Sequence, residues 1–223
     1  GYVVAHGDPV ERARLSFLRA GTEPPESILE RIGSGQTPDG GWPAAGDGTV
    51  PSVDATCFRL AELDDLGGLR GPLAGRALGW LARIQRDDGT WQEDGSLAAE
   101  APPWALPGDP EATLYLTAVA GFWMTVAEEH APHETSTRHA EALAAAARFV
   151  VSQMRPDGSW PSFLATGWHA VVLLHGQRLY HESARLQLVL GDRIGGMSPA
   201  DTAGLAAALR RADLGDDWLL RTA

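Results

Sequence analysis

Gln36-Thr37-Pro38-Asp39-Gly40-Gly41-Trp42 recurs as Gln85-Arg86-Asp87-Asp88-Gly89-Thr90-Trp91. It recurs again, one residue longer, as Gln153-Met154-Arg155-Pro156-Asp157-Gly158-Ser159-Trp160. A repeat of this kind guides the fold better than any single motif, because each copy is a supersecondary unit that buries its apolar face only against its neighbours. Every copy closes a helical pattern with an Asp-Gly turn. A short polar loop then leads into a related helix start: Val53-Asp54-Ala55-Thr56, Pro110-Glu111-Ala112-Thr113 and Phe163-Leu164-Ala165-Thr166. Ala200-Asp201-Thr202-Ala203 reads as a fourth start without a clear Gln/Trp turn before it.

The segments between the turns are helical by periodicity, and they are of two kinds. Leu73, Ala77, Leu78, Leu81 and Ile84 form one apolar stripe, and Leu143, Ala146, Ala147 and Val150 form another, each on one face of an amphipathic helix. Ala112 to Ala127 carries no charge on any face, and Ala165 to Leu174 is similar apart from His169. Such helices must be buried all round. Alternation of the two kinds implies an outer amphipathic layer around an inner apolar one. No period-2 run of useful length suggests strands. The chain therefore reads as all-α, a single domain over 1–223 with about ten helices in about five hairpins. Starts are expected near Pro9, Glu26, Asp54, Pro72, Pro110, Thr137, Ala165, Leu179, Pro199 and Asp216, with the Pro-rich stretch Glu100 to Pro110 as a long loop.

Composition removes whole classes of function. The 223 residues hold 29 acidic and 18 basic side chains, a formal charge of −11. Such a balance disfavours nucleic acid, whose phosphates need a cationic surface. Every basic residue is Arg; Lys and Asn are both absent. No Lys means no phosphate-loop lysine and no Schiff base. No Asn means no N-glycosylation. Arg in place of Lys, beside abundant Ala and Gly, hints at a GC-rich bacterial genome. The single cysteine, Cys57, excludes an internal disulfide and fits a cytoplasmic location. No signal peptide, membrane-spanning run or lipidation signal is expected.

The Gln-x-x-Asp-Gly-x-Trp turns resemble the QW motifs of squalene-hopene and oxidosqualene cyclases and other class II terpene cyclases, over roughly residues 26 to 175. The same α/α-toroid occurs in the β subunits of protein prenyltransferases. The resemblance implies an α/α-toroid in which each turn links an outer helix to an inner one. It implies that Gln36 and Trp42, Gln85 and Trp91, and Gln153 and Trp160 tie neighbouring repeats together. A complete ring in that superfamily holds more hairpins than the about five read here, so an incomplete ring is expected to associate as a homodimer or with a partner subunit, covering its apolar seam.

For function the resemblance implies acid-initiated cyclisation of an isoprenoid or similar apolar chain, without a cofactor. Its acid motif is Asp-x-Asp-Asp at the start of an inner helix. In Ser52-Val53-Asp54-Ala55-Thr56, Asp54 matches the proton-donating position. In Asp109-Pro110-Glu111-Ala112-Thr113, Asp109 matches the first position and Glu111 the donor. An alkene is a poor base, so the acid must be protonated and dry. Two carboxylates two residues apart, as Asp109 and Glu111 are, suit such an acid by their mutual repulsion. The plain reading of Asp54 is a helix cap.

A carbocation is steadied by π faces. Tyr115 and Phe122 share a face of the uncharged helix, and Phe58 and Trp168 lie near the starts of other inner helices, with His169 beside Trp168. The alternative is core packing. The prenyltransferase branch would instead use zinc on Asp54, Cys57 and His169, which occur in the right order with one residue too many between Asp54 and Cys57. A further alternative is a non-catalytic toroid that binds an apolar ligand or a partner subunit.

Overall fold

A computed structural model of the chain describes residues 2–129, 139–214 and 219. The fold is all-α, with ten α-helices among the described residues and strand limited to two residue pairs. The chain divides into two compact units, residues 1–83 and 84–223.

The first unit holds α1 (Tyr2–His6), α2 (Pro9–Ala20), α3 (Glu26–Gly33), α4 (Val53–Asp64) and α5 (Pro72–Ile84). Helix α2 shows why its sequence folds locally. Asp8 and Glu11 form a capping box, Pro9 occupies the first turn, and Gly21 ends the helix in the left-handed conformation. Arg14 reaches from α2 to Asp65 beyond the end of α4, with Nη2 2.6 Å from Oδ2. Between α3 and α4, β1 (Trp42–Pro43) pairs antiparallel with β2 (Pro51–Ser52), Trp42 opposite Ser52. This pair delivers the chain from the first Gln/Trp turn to α4.

The second unit holds α6 (Pro110–Glu129), α7 (Ala140–Gln153), α8 (Leu164–Gly176), α9 (Tyr180–Arg193) and α10 (Pro199–Arg211). Helix α8 packs against α6, α7, α9 and α10. In α6 every residue from Ala112 to Val126 except Tyr115 is buried, as its lack of charge requires. In α7 the buried residues are Leu143, Ala146, Ala147 and Val150, the stripe read from the sequence. Eight helix starts fall within one residue of expectation. The starts expected near Thr137 and Asp216 lie outside the described residues, and α1 had no sequence signal of its own.

The three turns share one hydrogen-bond pattern. In the first, Thr37 N donates to Gly41 O and Gly40 N to Thr37 O. In the second, Arg86 N donates to Thr90 O and Gly89 N to Arg86 O. In the third, Arg155 N donates to Ser159 O and Gly158 N to Arg155 O. Gly40, Gly89 and Gly158 all have positive φ, at 107°, 84° and 85°, which favours glycine. In two turns the side chain after the glycine closes on the Asp: Thr90 Oγ1 donates to Asp88 Oδ1 and Ser159 Oγ to Asp157 Oδ1. These bonds hold both carboxyls below the usual range.

Each turn docks on the helix after next. Gln36 Nε2 donates to Gly40 O at 2.7 Å and to Leu73 O of α5 at 2.9 Å. Gln85 Nε2 donates to Gly89 O at 3.0 Å and to Ala142 O of α7 at 2.9 Å. The third turn uses another device: Arg185 of α9 donates to Arg155 O and Pro156 O, while Gln153 reaches only Ser152 Oγ. The extra residue in that copy moves the glutamine off its carbonyls. Trp42, Trp91 and Trp160 are all buried, but the indole bonds differ: Trp42 Nε1 donates to Ile32 O of α3, ahead of its turn, and Trp160 Nε1 to Phe163 O, after its turn. Trp42 N donates to Thr56 Oγ1 of α4, and Trp91 N to Thr117 Oγ1 of α6.

Gln85→Ala is therefore expected to lower stability by about 1–2 kcal/mol, because two carbonyls lose a donor. Gln153→Ala is expected to change it by less than about 0.5 kcal/mol. Urea melts of the two variants check this, and equal losses would contradict the difference in docking.

Candidate functional site

Four of the five sequence-selected aromatic residues, Tyr115, Phe122, Trp168 and His169, converge in the second unit, where α6 faces α8. His169 lies at the centre. Its ring centroid is 4.9 Å from Phe122, 6.1 Å from Tyr115 and 6.0 Å from Trp168. Phe163, the residue before α8, stands edge-on to Tyr115 at 6.1 Å, and Trp123 edge-on to Phe122 at 4.9 Å. Arg211, near the end of α10, lies over Trp123 at 5.4 Å. These spacings suit edge-to-face aromatic pairing.

The sequence places these rings together for a simple reason. Phe122 and Tyr115 are two helical turns apart on α6, and Trp168 and His169 sit in the second turn of α8. The helices approach closely because small residues line the contact. A Cβ on Gly121 would meet Leu173 Cδ2 at 2.8 Å, and one on Gly176 would meet Thr125 Cγ2 at 2.4 Å. Gly204 of α10 leaves similar room for Trp168, whose ring a Cβ there would meet at 3.2 Å.

The cluster has a dry side and a wet side. Phe122, Trp123 and Trp168 are buried, whereas Tyr115, Phe163 and His169 are half-buried. Nδ1 of His169 is itself buried and has no hydrogen-bond partner. Burial, with the positive charge of Arg211 adding to it, pushes the imidazole down to about 3. The ring is therefore neutral near pH 7, with one nitrogen a donor and the other an acceptor.

Phe58 belongs to α4 within the first unit and is 58% exposed, with the Arg59 guanidinium 5.9 Å from its ring. The acid candidates have separate fates. Asp109 Oδ1 accepts from Ala112 N at 2.8 Å, so Asp109 caps α6. Glu111 is exposed to water, and its main-chain carbonyl accepts from Ser162 Oγ just ahead of α8. Asp54 is half-buried in the first turn of α4. The capping role read for it falls to Ser52, whose Oγ accepts from Ala55 N at 3.0 Å. Ser52 has the extended backbone that an N-cap requires, at φ −105° and ψ 138°, whereas Asp54 is already helical.

Among the described residues no three His, Cys, Asp or Glu side chains form a group able to hold a metal ion. Of the residues of the zinc reading, Asp54 and Cys57 lie on α4 of the first unit, where Cys57 is buried, and His169 lies on α8 of the second. Among the described residues no helix is long and apolar enough to cross a membrane.

Sequence reading missed Trp123, Phe163 and Arg211. Trp123 was legible as the neighbour of Phe122 in the uncharged run. Arg211 was not, because the return of α10 to α6 and α8 is a tertiary fact. No protein-family model matches the chain, and no curated protein matches it in sequence.

Proposed function

We propose that the chain is a QW-repeat protein of the α/α-toroid type that holds an apolar, isoprenoid-like chain against the aromatic residues of its second unit. The observation that carries this is the convergence of Tyr115, Phe122, Trp168 and His169, with buried rings behind and half-buried rings in front. Such a surface offers π faces and carbon to a ligand and few competing charges. Binding is favoured over catalysis by the carboxylates. Asp109 is engaged as a cap, and Glu111 stands in water rather than in the dry setting that an alkene-protonating acid needs. The proposed setting is the cytoplasm. In the second unit Trp104, Leu106, Tyr180 and Leu188 are exposed apolar residues available to a second copy or a partner subunit.

Acid-initiated cyclisation remains the second reading, favoured by one observation: Asp54 is half-buried at the start of α4 while another residue does the capping. One experiment separates the two. Polyprenyl alcohols and squalene are titrated into the protein while tryptophan fluorescence is followed, and the mixtures are then analysed for products. The binding reading expects a saturable change, weakened by Tyr115→Ala, and unchanged ligand. A cyclised product lost in Asp54→Asn would replace it with the enzymatic reading. No saturable change with any of these ligands would sink both.

A further inference from the structure

We infer that the ligand of this cluster is an apolar molecule bearing a hydroxyl group, and that Nδ1 of His169 accepts its hydrogen bond; this rests on the aromatic cluster being a ligand site. From Ala165 to Leu174 helix α8 holds no other ionisable side chain, and Phe or Leu at position 169 would pack among these rings without a polar atom to satisfy. The chain instead places there an imidazole whose Nδ1 is buried with no partner. Leaving such a nitrogen unpaired costs about 1–3 kcal/mol, and a donor supplied by a ligand removes that penalty.

The surroundings select the kind of donor. The rings of Tyr115, Phe122 and Trp168 surround the imidazole, so the bulk of the ligand must be apolar. Burial and the charge of Arg211 keep the imidazole neutral, and in the tautomer that carries its proton on Nε2 the ring offers an acceptor at Nδ1 rather than a cation. A carboxylate or diphosphate has no proton to give it, and an ammonium group would bring an unpaired charge into an apolar site. A neutral hydroxyl meets both conditions. Entry is from the half-buried side, where Tyr115 and Phe163 border His169.

The test compares farnesol with farnesyl methyl ether, which keeps the chain and removes the donor. Wild-type protein is expected to bind farnesol about tenfold or more tightly than the ether, the worth of one buried neutral hydrogen bond. His169→Phe, which keeps an aromatic ring, is expected to bind the two equally. In parallel, the ¹⁵N resonance of Nδ1 in the wild type should move with farnesol and stay in place with the ether, a readout independent of how the variant folds. If both ligands bind the wild type equally, or the preference survives in His169→Phe, the hydroxyl assignment is wrong while the apolar site stands. If neither ligand binds, the apolar site and the assignment fall together.

Discussion

Gly40→Ala and Gly89→Ala are each expected to destabilise the protein by about 3–4 kcal/mol. Two penalties combine. Each glycine has a positive φ, which an L side chain adopts at a cost of roughly 1–2 kcal/mol. Each also lies against the backbone of the docked helix: a Cβ at Gly40 would come within 2.5 Å of Arg76 O, and one at Gly89 within 2.6 Å of Ala145 O. A main-chain carbonyl does not swing aside as a side chain does, so the turn must lift from α5 or α7. Gly158 has more room, with Arg185 O at 3.2 Å, and its alanine variant should lose about half as much. Gly46→Ala is the control, since nothing lies within 4 Å of a Cβ there. Denaturant melts should rank Gly40 and Gly89 first, Gly158 next and Gly46 near the wild type. A Gly40→Ala protein as stable as the wild type would show that the turn does not bear on α5.

The second large effect is a loss of stability in acid centred on His169. Its imidazole is held at about 3 in the folded protein, against about 6.5 in an unfolded chain. Above about pH 6.5 neither state binds the proton, and the histidine adds no pH dependence. As the pH falls below that value the unfolded chain takes up a proton that the folded one refuses. Stability then drops until the folded pKa is reached. Between pH 7 and pH 5 this amounts to about 2 kcal/mol, at 1.36 kcal/mol per pH unit for one proton. Glu128 works in the opposite direction, its carboxyl raised by burial, so it takes up its proton more readily in the folded state. The check is therefore a difference: pH-dependent melts of wild type and His169→Phe, which share every other titrating group. The variant is expected to lose less stability between pH 7 and pH 5, and parallel curves would contradict a buried neutral imidazole.

Helix placement was legible because it depends on local signals. The uncharged run after Pro110 could only be a buried helix, and the stripe from Leu143 to Val150 could only face a core. The Asp-Gly steps fixed the turns, since the φ of Gly40 and Gly89 is a property of those residues. What the turns hold was legible only in part. Gln36 and Gln85 find carbonyls across a neighbouring helix, but Gln153 does not, because one inserted residue changes its reach and Arg185 takes over. The acid candidates were the hardest to read. A carboxylate before an apolar helix has the same sequence whether it caps, as Asp109 does, or faces water, as Glu111 does. That choice is made by ångström-scale geometry in the first turn. The partnerless nitrogen of His169 had no sequence signal beyond its presence in an apolar run.

The docking of each turn on the helix after next also sets an order of assembly. The glutamine of the first turn waits for a carbonyl 37 residues further along the chain, and that of the second for one 57 residues further. Neither turn can lock on its own hairpin. As the chain leaves the ribosome, every finished hairpin ends in an unlatched turn until the next outer helix has emerged. Coupling of this nearest-neighbour kind makes growth of the structure directional and cooperative, as in linear repeat arrays. A chain cut after α8 should then carry its loss at the cut end, in the third turn, which would have no α9 to receive it.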